Sequence, residues 1–217
     1  MTARSEAELV AVIGAAIARA QGRPVDLRDD CAHLRAPTDL VTTDALLEGG
    51  HFDPARDGFE AIGRQAAVAN LSDLAASGAA PGWLVWSLVI PDRWTTAHVA
   101  ALTRGFAAEA ARHGARVVGG NLSRTAGQGV IAVTAGGPLF GPAPLTRSGA
   151  RPGDVLYVSG PLGDAALGYL APDPDARRAR HRWRPHVAEA RALCRWGQVR
   201  AMLDVSDGLL LDAARLG

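Results

Sequence analysis

The residues of this sequence best suited to chemistry are aspartates. They occur in short segments that otherwise look buried or that form tight, glycine-containing turns. They are Asp29, Asp30, Asp44, Asp73, Asp204 and Asp207. An ionised carboxylate near apolar surface is costly unless a cation compensates its charge, and Mg²⁺ prefers hard oxygen ligands of this kind. Inward-facing aspartates on separate elements therefore predict a shared metal site, and such a site is suited to binding phosphate.

The basic residues narrow the chemistry further. All 23 are arginine, because the sequence contains no lysine. This excludes a P-loop lysine, the strand lysine of a protein kinase and a Schiff-base nucleophile. The formal charge of +1 gives no general reason to expect nucleic acid or a membrane as a partner. The basic run at 177–184 is better interpreted as a solvated or phosphate-facing surface than as an RNA site, because stacking aromatics are nearly absent.

Composition indicates a compact globular protein of the cytoplasm. The 217 residues are 48% hydrophobic and include 25 glycines and 13 prolines, which fits a turn-rich fold. Cys31 and Cys194 are far apart, so neither a disulfide framework nor a zinc knuckle is indicated. The N-terminal segment lacks the basic flank of a signal peptide, and no apolar run approaches the length of a membrane span.

The first two thirds of the chain read as a mixture of helices and strands. A capping-box spacing at Ser5 and Glu8 predicts a helix to about residue 20. Apolar runs predict strands at 40–43, 83–90, 116–118 and 130–135, and helical periodicity predicts helices at 58–78 and 95–113. Residues 119–121 look like a glycine-rich turn, with a hairpin-like connection between the last two strands.

A Gly/Pro-rich stretch at 136–144 predicts a domain boundary. We therefore expect an N-terminal domain at 1–145 and a C-terminal domain at 146–217. In the latter, the pattern predicts a strand at 155–159 and helices at 164–170 and about 186–197. The sequence stops at Gly217, inside or just after a helix that has barely begun, which leads us to expect a missing C-terminal portion.

Several candidate ligands lie near the first predicted strand, at 40–43. Thr42 and Asp44 offer hard oxygen atoms at its end, and Gly49-Gly50 lets the backbone bring His51 close to a ligand. His51 is either a phosphate contact or an ordinary structural histidine. Asp73 continues the apolar stripe of the 58–78 helix, and a carboxylate on a buried face needs an arginine or a metal.

The remaining candidates have both functional and structural interpretations. The segment GGNLSRT, which includes Gly120 and Asn121, is either a phosphate cradle or an ordinary tight turn. Arg147 is suited to clamping a polyphosphate but equally to an ion pair. Ser206 and Asp207 either contact a ligand or cap the helix that follows them, while capping leaves Asp204 unexplained.

Read together, six segments resemble those of the thiamine-monophosphate kinases, within the aminoimidazole ribonucleotide synthetase-like superfamily. They occur in the family's order across residues 29–217 and read DDCAHL, VTTDALLEGGHF, AVANLSDLAASGAAPGWLVWSLVIP, GGNLSRT, LTRSGARPGDVLYVSGPLGDAALG and MLDVSDGLLLDAARL. The resemblance implies a two-domain α+β fold. An N-terminal mixed sheet with helices pairs in a homodimer, and an incomplete α/β domain follows it.

The implied reaction is ATP- and Mg²⁺-dependent phosphorylation of thiamine monophosphate to thiamine diphosphate. The acceptor is a phosphate that is already anionic, so no catalytic general base is expected; several Mg²⁺ ions would bring the two polyanions together. By motif, the implied metal ligands are Asp30, Thr42, Asp44, Asp73, Asp204 and Asp207. The resemblance makes Gly120, Asn121, Arg147 and Ser206 ATP contacts and His51 a substrate contact.

One residue departs from the family pattern. Where the family's turn reads Gly-Gly-Asp, this chain has Asn121, which offers a metal a neutral carbonyl oxygen in place of a charged one. The alternative hypothesis is therefore a catalytically weak nucleotide-binding or dimerisation module derived from such a kinase.

Overall fold

The computed structural model describes residues 32–33, 39–170 and 181–216. The predicted helix at 5–20 and the Asp29-Asp30 pair lie outside these residues. The strands are β1 (Ala32–His33), β2 (Asp39–Leu47), β3 (Trp83–Pro91), β4 (Arg116–Thr125) and β5 (Val130–Pro138). The helices are α1 (Pro54–Asp57), α2 (Phe59–Ala76), α3 (Thr96–Arg112), α4 (Asp164–Leu170), α5 (Val187–Trp196) and α6 (Leu209–Ala213), with a 3₁₀ turn at Arg147–Gly149.

The strands form one mixed sheet in the order β1-β2-β5-β3-β4. All neighbours are antiparallel except β3 and β4, which are parallel. One row of the register runs from Asp44 through Val133 and Trp86 to Gly120. This row fixes how far apart the candidate residues on β2 and β4 lie.

Helices α2 and α3 pack tightly against each other over one face of the sheet. A Cβ on Gly63 would lie 1.9 Å from the Leu102 carbonyl oxygen, and one on Gly105 would lie 1.9 Å from that of Glu60. Glycine at both positions therefore lets the helix backbones touch. Helix α3 begins at a capping box formed by Thr95 and His98.

The main core lies between this helix pair and the sheet. It includes Ile62 and Leu71 of α2, Phe106 of α3, Leu84 of β3 and Ile131 of β5, all fully buried or nearly so. The apolar periodicity of α2 and the apolar run of β3 in the sequence reflect this burial.

The C-terminal part of the described chain docks on the far end of α2. Ala75 packs with Val187 and Ala190 of α5, supported by Phe140 and Met202. The Leu145 N–H donates to the Ser77 carbonyl at 3.1 Å. The residues after 145 are thereby held against the helix that carries Asp73.

The α+β fold class is confirmed, together with all four predicted strands of the sheet and the four helices predicted after residue 57. Three details were wrong. Residues 119–121 do not form a turn but lie inside β4, and β4 pairs with β3 in place of forming a hairpin with β5. Residues 155–159 are irregular, because within 146–170 and 181–216 there is no strand to pair with them.

Within the described residues, none of the helices is both long enough and apolar enough to cross a membrane.

Candidate active site

Strand β2 is joined to helix α2 by a hydrogen bond between two predicted ligands. Thr42 is 4% exposed, and its hydroxyl donates to Asp73 Oδ2 at 2.7 Å. Asp73 is half-buried on α2, so the stripe that placed it on an inward face was interpreted correctly. Two oxygen atoms of the kind that bind Mg²⁺, from distant parts of the chain, therefore lie within hydrogen-bonding distance of each other.

Asp44 meets the charge of a second carboxylate from the C-terminal part of the chain. Burial raises the pKa of Asp44, and the nearby negative charge of Asp207 raises it further. The hydrogen bond from the Ala45 N–H and the charge of His51 act in the opposite direction. Asp44, His51 and Asp207 are thus close enough to interact electrostatically, although the two carboxylates are 163 positions apart in the sequence.

His51 lies in the turn that follows β2 and is oriented by the backbone. Gly49 adopts a φ of 84°, which favours glycine, and the His51 N–H donates to the Leu47 carbonyl at 2.8 Å. The ring folds back so that Nδ1 accepts the Leu47 N–H at 3.1 Å. In the neutral ring the proton is then on Nε2, which suits that nitrogen to donate to a phosphate oxygen.

The loop from Asp204 to Gly208 is organised by a carboxylate that the sequence analysis missed. Asp212 Oδ2 accepts the N–H groups of Ser206, Asp207 and Gly208 at 3.0, 3.0 and 3.1 Å. The N-cap of α6 is Gly208, and no side chain caps it. Helix capping was one interpretation of Ser206 and Asp207, and the structure contradicts it. One sequence signal could have identified Asp212. It is an acidic residue one turn into the helix that follows the SDG sequence.

Arg215 ties the same loop to α6. Its Nη1 atom lies 2.7 Å from Asp207 Oδ2 and 2.8 Å from Asp212 Oδ1. Asp207 is half-exposed, whereas the Asp212 side chain is 2% exposed. One guanidinium group thus compensates a predicted metal ligand and the buried carboxylate behind it.

Arg147 begins the 3₁₀ turn at the start of the C-terminal part of the chain. The Met202 N–H donates to the carbonyl of Thr146 at 3.3 Å. The segment that leads to Asp204 therefore runs beside the residue that precedes Arg147. This arrangement brings two predicted site residues to neighbouring segments.

Gly120 and Asn121 lie on β4, three strands away from β2 in the sheet. Three strand spacings separate β4 from β2, which is about 14 Å. Gly120 is in register with Trp86, and a Cβ on it would lie 2.4 Å from Trp86 Cδ1, so packing alone requires glycine there. Asn121 is in register with Ser87, which belongs to the other face from Asp44. Its side-chain amide donates to Ser123 Oγ at 3.3 Å.

Two of the predicted metal ligands, Thr42 and Asp73, are thus hydrogen-bonded, and Asp44 interacts electrostatically with a third, Asp207. Their hydroxyl and carboxylate oxygens fit the preference of Mg²⁺. The pKa of Asp44 is raised mainly by burial and less by the charge of Asp207. Among the described residues, no three His, Cys, Asp or Glu side chains gather closely enough to hold a metal by themselves. Asp30, the remaining predicted ligand from the N-terminal segment, lies outside those residues.

A cavity of about 350 Å³ opens beside the His51 turn. Arg56 and Arg93 line it, together with Glu48, and Arg93 lies 2.6 Å from the Glu48 carboxylate. No motif in the sequence pointed to any of these three residues. The cavity borders the turn that carries the predicted substrate contact.

Residues 28–139 match the family model of AIR synthase related protein, N-terminal domain. That stretch is just over half of the 217 residues, so the chain belongs to the AIR synthase related family.

Curated proteins similar to this chain include thiamine-monophosphate kinases. The one from Mycobacterium tuberculosis (strain ATCC 25618 / H37Rv) is 38% identical over 179 residues, which cover 80% of this chain and 53% of that protein. The one from Escherichia coli (strain K12) is 35% identical over 204 residues, which cover 87% of this chain and 60% of that protein. The chain therefore spans between half and two thirds of the length of these curated relatives.

Solved structures agree with this grouping. A structure described as AaThiL complexed with AMPPCP and TMP aligns with 100% of this chain and 72% of its own, with a TM-score of 0.84 and 29% identity. The thiamine-monophosphate kinase of Stenotrophomonas maltophilia K279a is 32% identical and has a TM-score of 0.71. That alignment covers 94% of this chain and 71% of the other. The chain is thus a thiamine-monophosphate kinase-like member of its family.

Proposed function

We propose that this chain carries out ATP- and Mg²⁺-dependent phosphorylation of thiamine monophosphate to thiamine diphosphate, in the cytoplasm and as a homodimer. The observation that carries the proposal is the 2.7 Å hydrogen bond between Thr42 and Asp73, two predicted ligands from different parts of the chain. The named relatives support the same reaction, since they are thiamine-monophosphate kinases and one solved structure holds AMPPCP and TMP.

The side chains act by positioning and charge. Mg²⁺, when bound, would screen the repulsion between the two phosphate groups and stabilise the charge that develops during transfer. Asp44, Asp73, Asp207 and the Thr42 hydroxyl would hold it, joined by Asp204 and Asp30. The acceptor phosphate needs no general base, which agrees with a site that is built from oxygen donors.

Around the transferred group, the other predicted residues bind and orient. Arg147 and the Ser206 hydroxyl would hold the ATP phosphates. The Ser206 N–H already donates to Asp212, so the Ser206 hydroxyl is the donor that would contact ATP. His51 would donate from Nε2 to thiamine monophosphate. Residues 1–145 would form a domain for metal and ATP binding and for dimerisation, and residues 146–217 would form part of a second domain.

The proposed homodimer would form through β4. This strand is at the edge of the sheet, and it exposes Val118 by 57% and Leu122 by 60%. An exposed apolar edge strand is a ready template for pairing with a second chain. Pairing there would place Gly120 and Asn121 at the interface between subunits.

We expect Leu122→Asp to lower the mass measured by sedimentation to that of a monomer. Leu210→Asp, a matched change of an exposed leucine on α6, should leave the mass unchanged; a dimer that survives Leu122→Asp would contradict the proposed interface.

A direct test is the formation of thiamine diphosphate from ATP and thiamine monophosphate, with and without Mg²⁺. The native full-length chain and an Asn121→Asp variant should be compared. Mg²⁺-dependent product from the native chain supports the kinase and shows that asparagine suffices. Product from the variant alone would mean that a lost metal charge has silenced the site. ATP binding without product from either would favour the binding module.

A further inference from the structure

We propose that Asp212 is a positioning residue that holds Ser206 and Asp207 in the geometry that the Mg²⁺–nucleotide complex needs. The inference deepens the proposed function and rests on it. Asp212 would not touch the metal or the nucleotide. It would act through the loop from Asp204 to Gly208, which carries the predicted ligands.

The first observation is that one carboxylate oxygen fixes three successive backbone groups. Asp212 Oδ2 accepts from the N–H groups of residues 206, 207 and 208, all within 3.1 Å. A single acceptor can meet three consecutive donors only if the backbone curls around it, as in anion-binding turns. The φ of 109° at Gly208 belongs to this turn and favours glycine.

The second observation is that this carboxylate is buried and fully engaged. Asp212 is 1% exposed, a position that an ionised group tolerates only when it is hydrogen-bonded and paired. Both conditions are met, because Oδ2 takes the three N–H groups and Oδ1 takes Arg215 at 2.8 Å. Hydrogen bonds to a charged acceptor are about twice as strong as those between neutral groups.

Apolar packing does not account for the conformation of this loop. Residues 205–211 are all exposed, with Leu210 at 87% and Leu211 at 53%. The contacts that fix the loop are therefore the polar ones made by Asp212 and Arg215. A contact that only stabilised the fold could lie anywhere in the loop. The contacts of Asp212 instead converge on Ser206 and Asp207, the two residues that the proposed site requires.

The loop geometry in turn sets where Asp207 meets Asp44. The Asp207 carboxylate is held from behind by Arg215 at 2.7 Å, and its charge reaches Asp44 on β2. If the backbone of residues 206–208 relaxes, Asp207 moves away from Asp44. Metal and nucleotide affinity should then fall without loss of the fold.

The experiment compares the wild-type chain with Asp212→Ala, Asp212→Asn and Arg200→Gln. Arg200 is a control arginine whose ion pair with Asp154, at 2.6 Å, lies outside the loop. Two quantities are measured: amide hydrogen exchange at residues 206–208 without nucleotide, and calorimetric affinity for AMPPCP with Mg²⁺. We expect Asp212→Ala to speed exchange about tenfold or more. Its affinity should fall about 10- to 100-fold, the usual effect of losing a group that orients a ligand.

Asp212→Asn keeps an acceptor oxygen but loses the charge, so it should fall between wild type and Asp212→Ala in both measurements. Arg200→Gln should match wild type. Unchanged exchange at 206–208 in Asp212→Asn and Asp212→Ala would overturn the inference, as would faster exchange with unchanged affinity. If the wild-type chain binds no Mg²⁺–AMPPCP, the kinase proposal fails. The exchange rates still decide whether Asp212 holds the loop; if Asp212→Ala does not fold, Asp212→Asn provides the comparison.

Discussion

Asp44 illustrates at the level of one residue how a proposed metal ligand can oppose stability. Burial and the charge of Asp207 both raise its pKa, so its ionised form is less favourable in the folded chain than in the unfolded chain. In the absence of metal the folded chain therefore holds this proton more tightly. The free energy of unfolding should fall as the pH rises from the ordinary pKa of an aspartate to the raised one, and it should stay lowered above that.

We expect Asp44→Asn to stabilise the metal-free chain at neutral pH, because asparagine removes the disfavoured charge. The same change should weaken Mg²⁺ binding about tenfold or more, since a carboxylate ligand is lost. Urea denaturation in EDTA and in Mg²⁺ would test both effects. The order of stability of wild type and variant should reverse when Mg²⁺ is added.

The control for this prediction is Asp92→Asn. Asp92 is an exposed aspartate at 3.1 Å from Arg124, and surface pairs of this kind contribute little. Its stability should respond to Mg²⁺ as wild type does. If Asp44→Asn behaved like Asp92→Asn, Asp44 would not be a metal ligand.

Sequence patterns identified residues whose environment is set locally. Asp73 was placed on a buried face by helical spacing, and its contact with Thr42 agrees with that. Asp212 was missed because its role depends on three N–H groups converging in a turn, and no local spacing encodes that convergence. The separation of Asn121 from Asp44 likewise depends on strand order, which follows from long-range pairing.

At the level of elements, the crossing of α2 and α3 sets the shape of the helical layer that covers the sheet. Gly63 and Gly105 each leave room for the backbone of the opposite helix. Glycine is normally the weaker choice inside a helix, by about 1 kcal/mol relative to alanine. Two such positions facing each other indicate that close approach of the helices outweighs that cost.

Gly105→Ala should therefore lower the free energy of unfolding by about 1–3 kcal/mol, the usual cost of overpacking, in spite of the better helix propensity of alanine. Chemical denaturation would measure this loss. Gly141→Ala is the control, since a Cβ there meets nothing within 4 Å, and it should be nearly neutral. A stabilised Gly105→Ala variant would mean that the helices have room to move apart.

The elements with a strong local pattern, including the four strands of the sheet, were predicted well, and features that depend on long-range pairing were not. Helices at 58–78 and 95–113 carry their own apolar stripe, whereas residues 155–159 have the composition of a strand and no described neighbour to pair with. The glycines at 119–121 suggested a turn, yet Gly120 is needed inside β4 because Trp86 packs against it. A local pattern cannot distinguish these two uses of glycine.

At the scale of the whole molecule, a buried ionic group fastens the C-terminal part of the chain to α2. Glu109 of α3 has a side chain that is 2% exposed, and its Oε2 lies 3.2 Å from Arg64 Nε. Arg64 then donates to the carbonyls of His181 and Trp183, the latter at 2.7 Å. The carboxylate thus orients an arginine that holds the segment leading into α5.

Arg64→Gln should lower the free energy of unfolding by about 1.5–3 kcal/mol, because hydrogen bonds to charged groups are lost at a largely buried site. It should also make residues 181–184 more accessible to proteases. Arg104→Gln on α3 is a matched control, as Arg104 and Glu60 are 3.8 Å apart and both largely exposed. That change should cost less than about 1 kcal/mol. Equal effects of the two variants would show that Arg64 does not fasten the segment.

The pairing of β2 with β5 has a consequence for how the chain is made. Thr43 of β2 donates to the Val133 carbonyl, 90 positions further along the sequence. At a synthesis rate of about 5–20 residues per second, β2 leaves the ribosome roughly 5–20 seconds before its partner strand exists. During that interval the backbone groups of β2 that bond to β5 have no strand to pair with. The nascent chain should therefore depend on chaperones most strongly between the synthesis of β2 and that of β5.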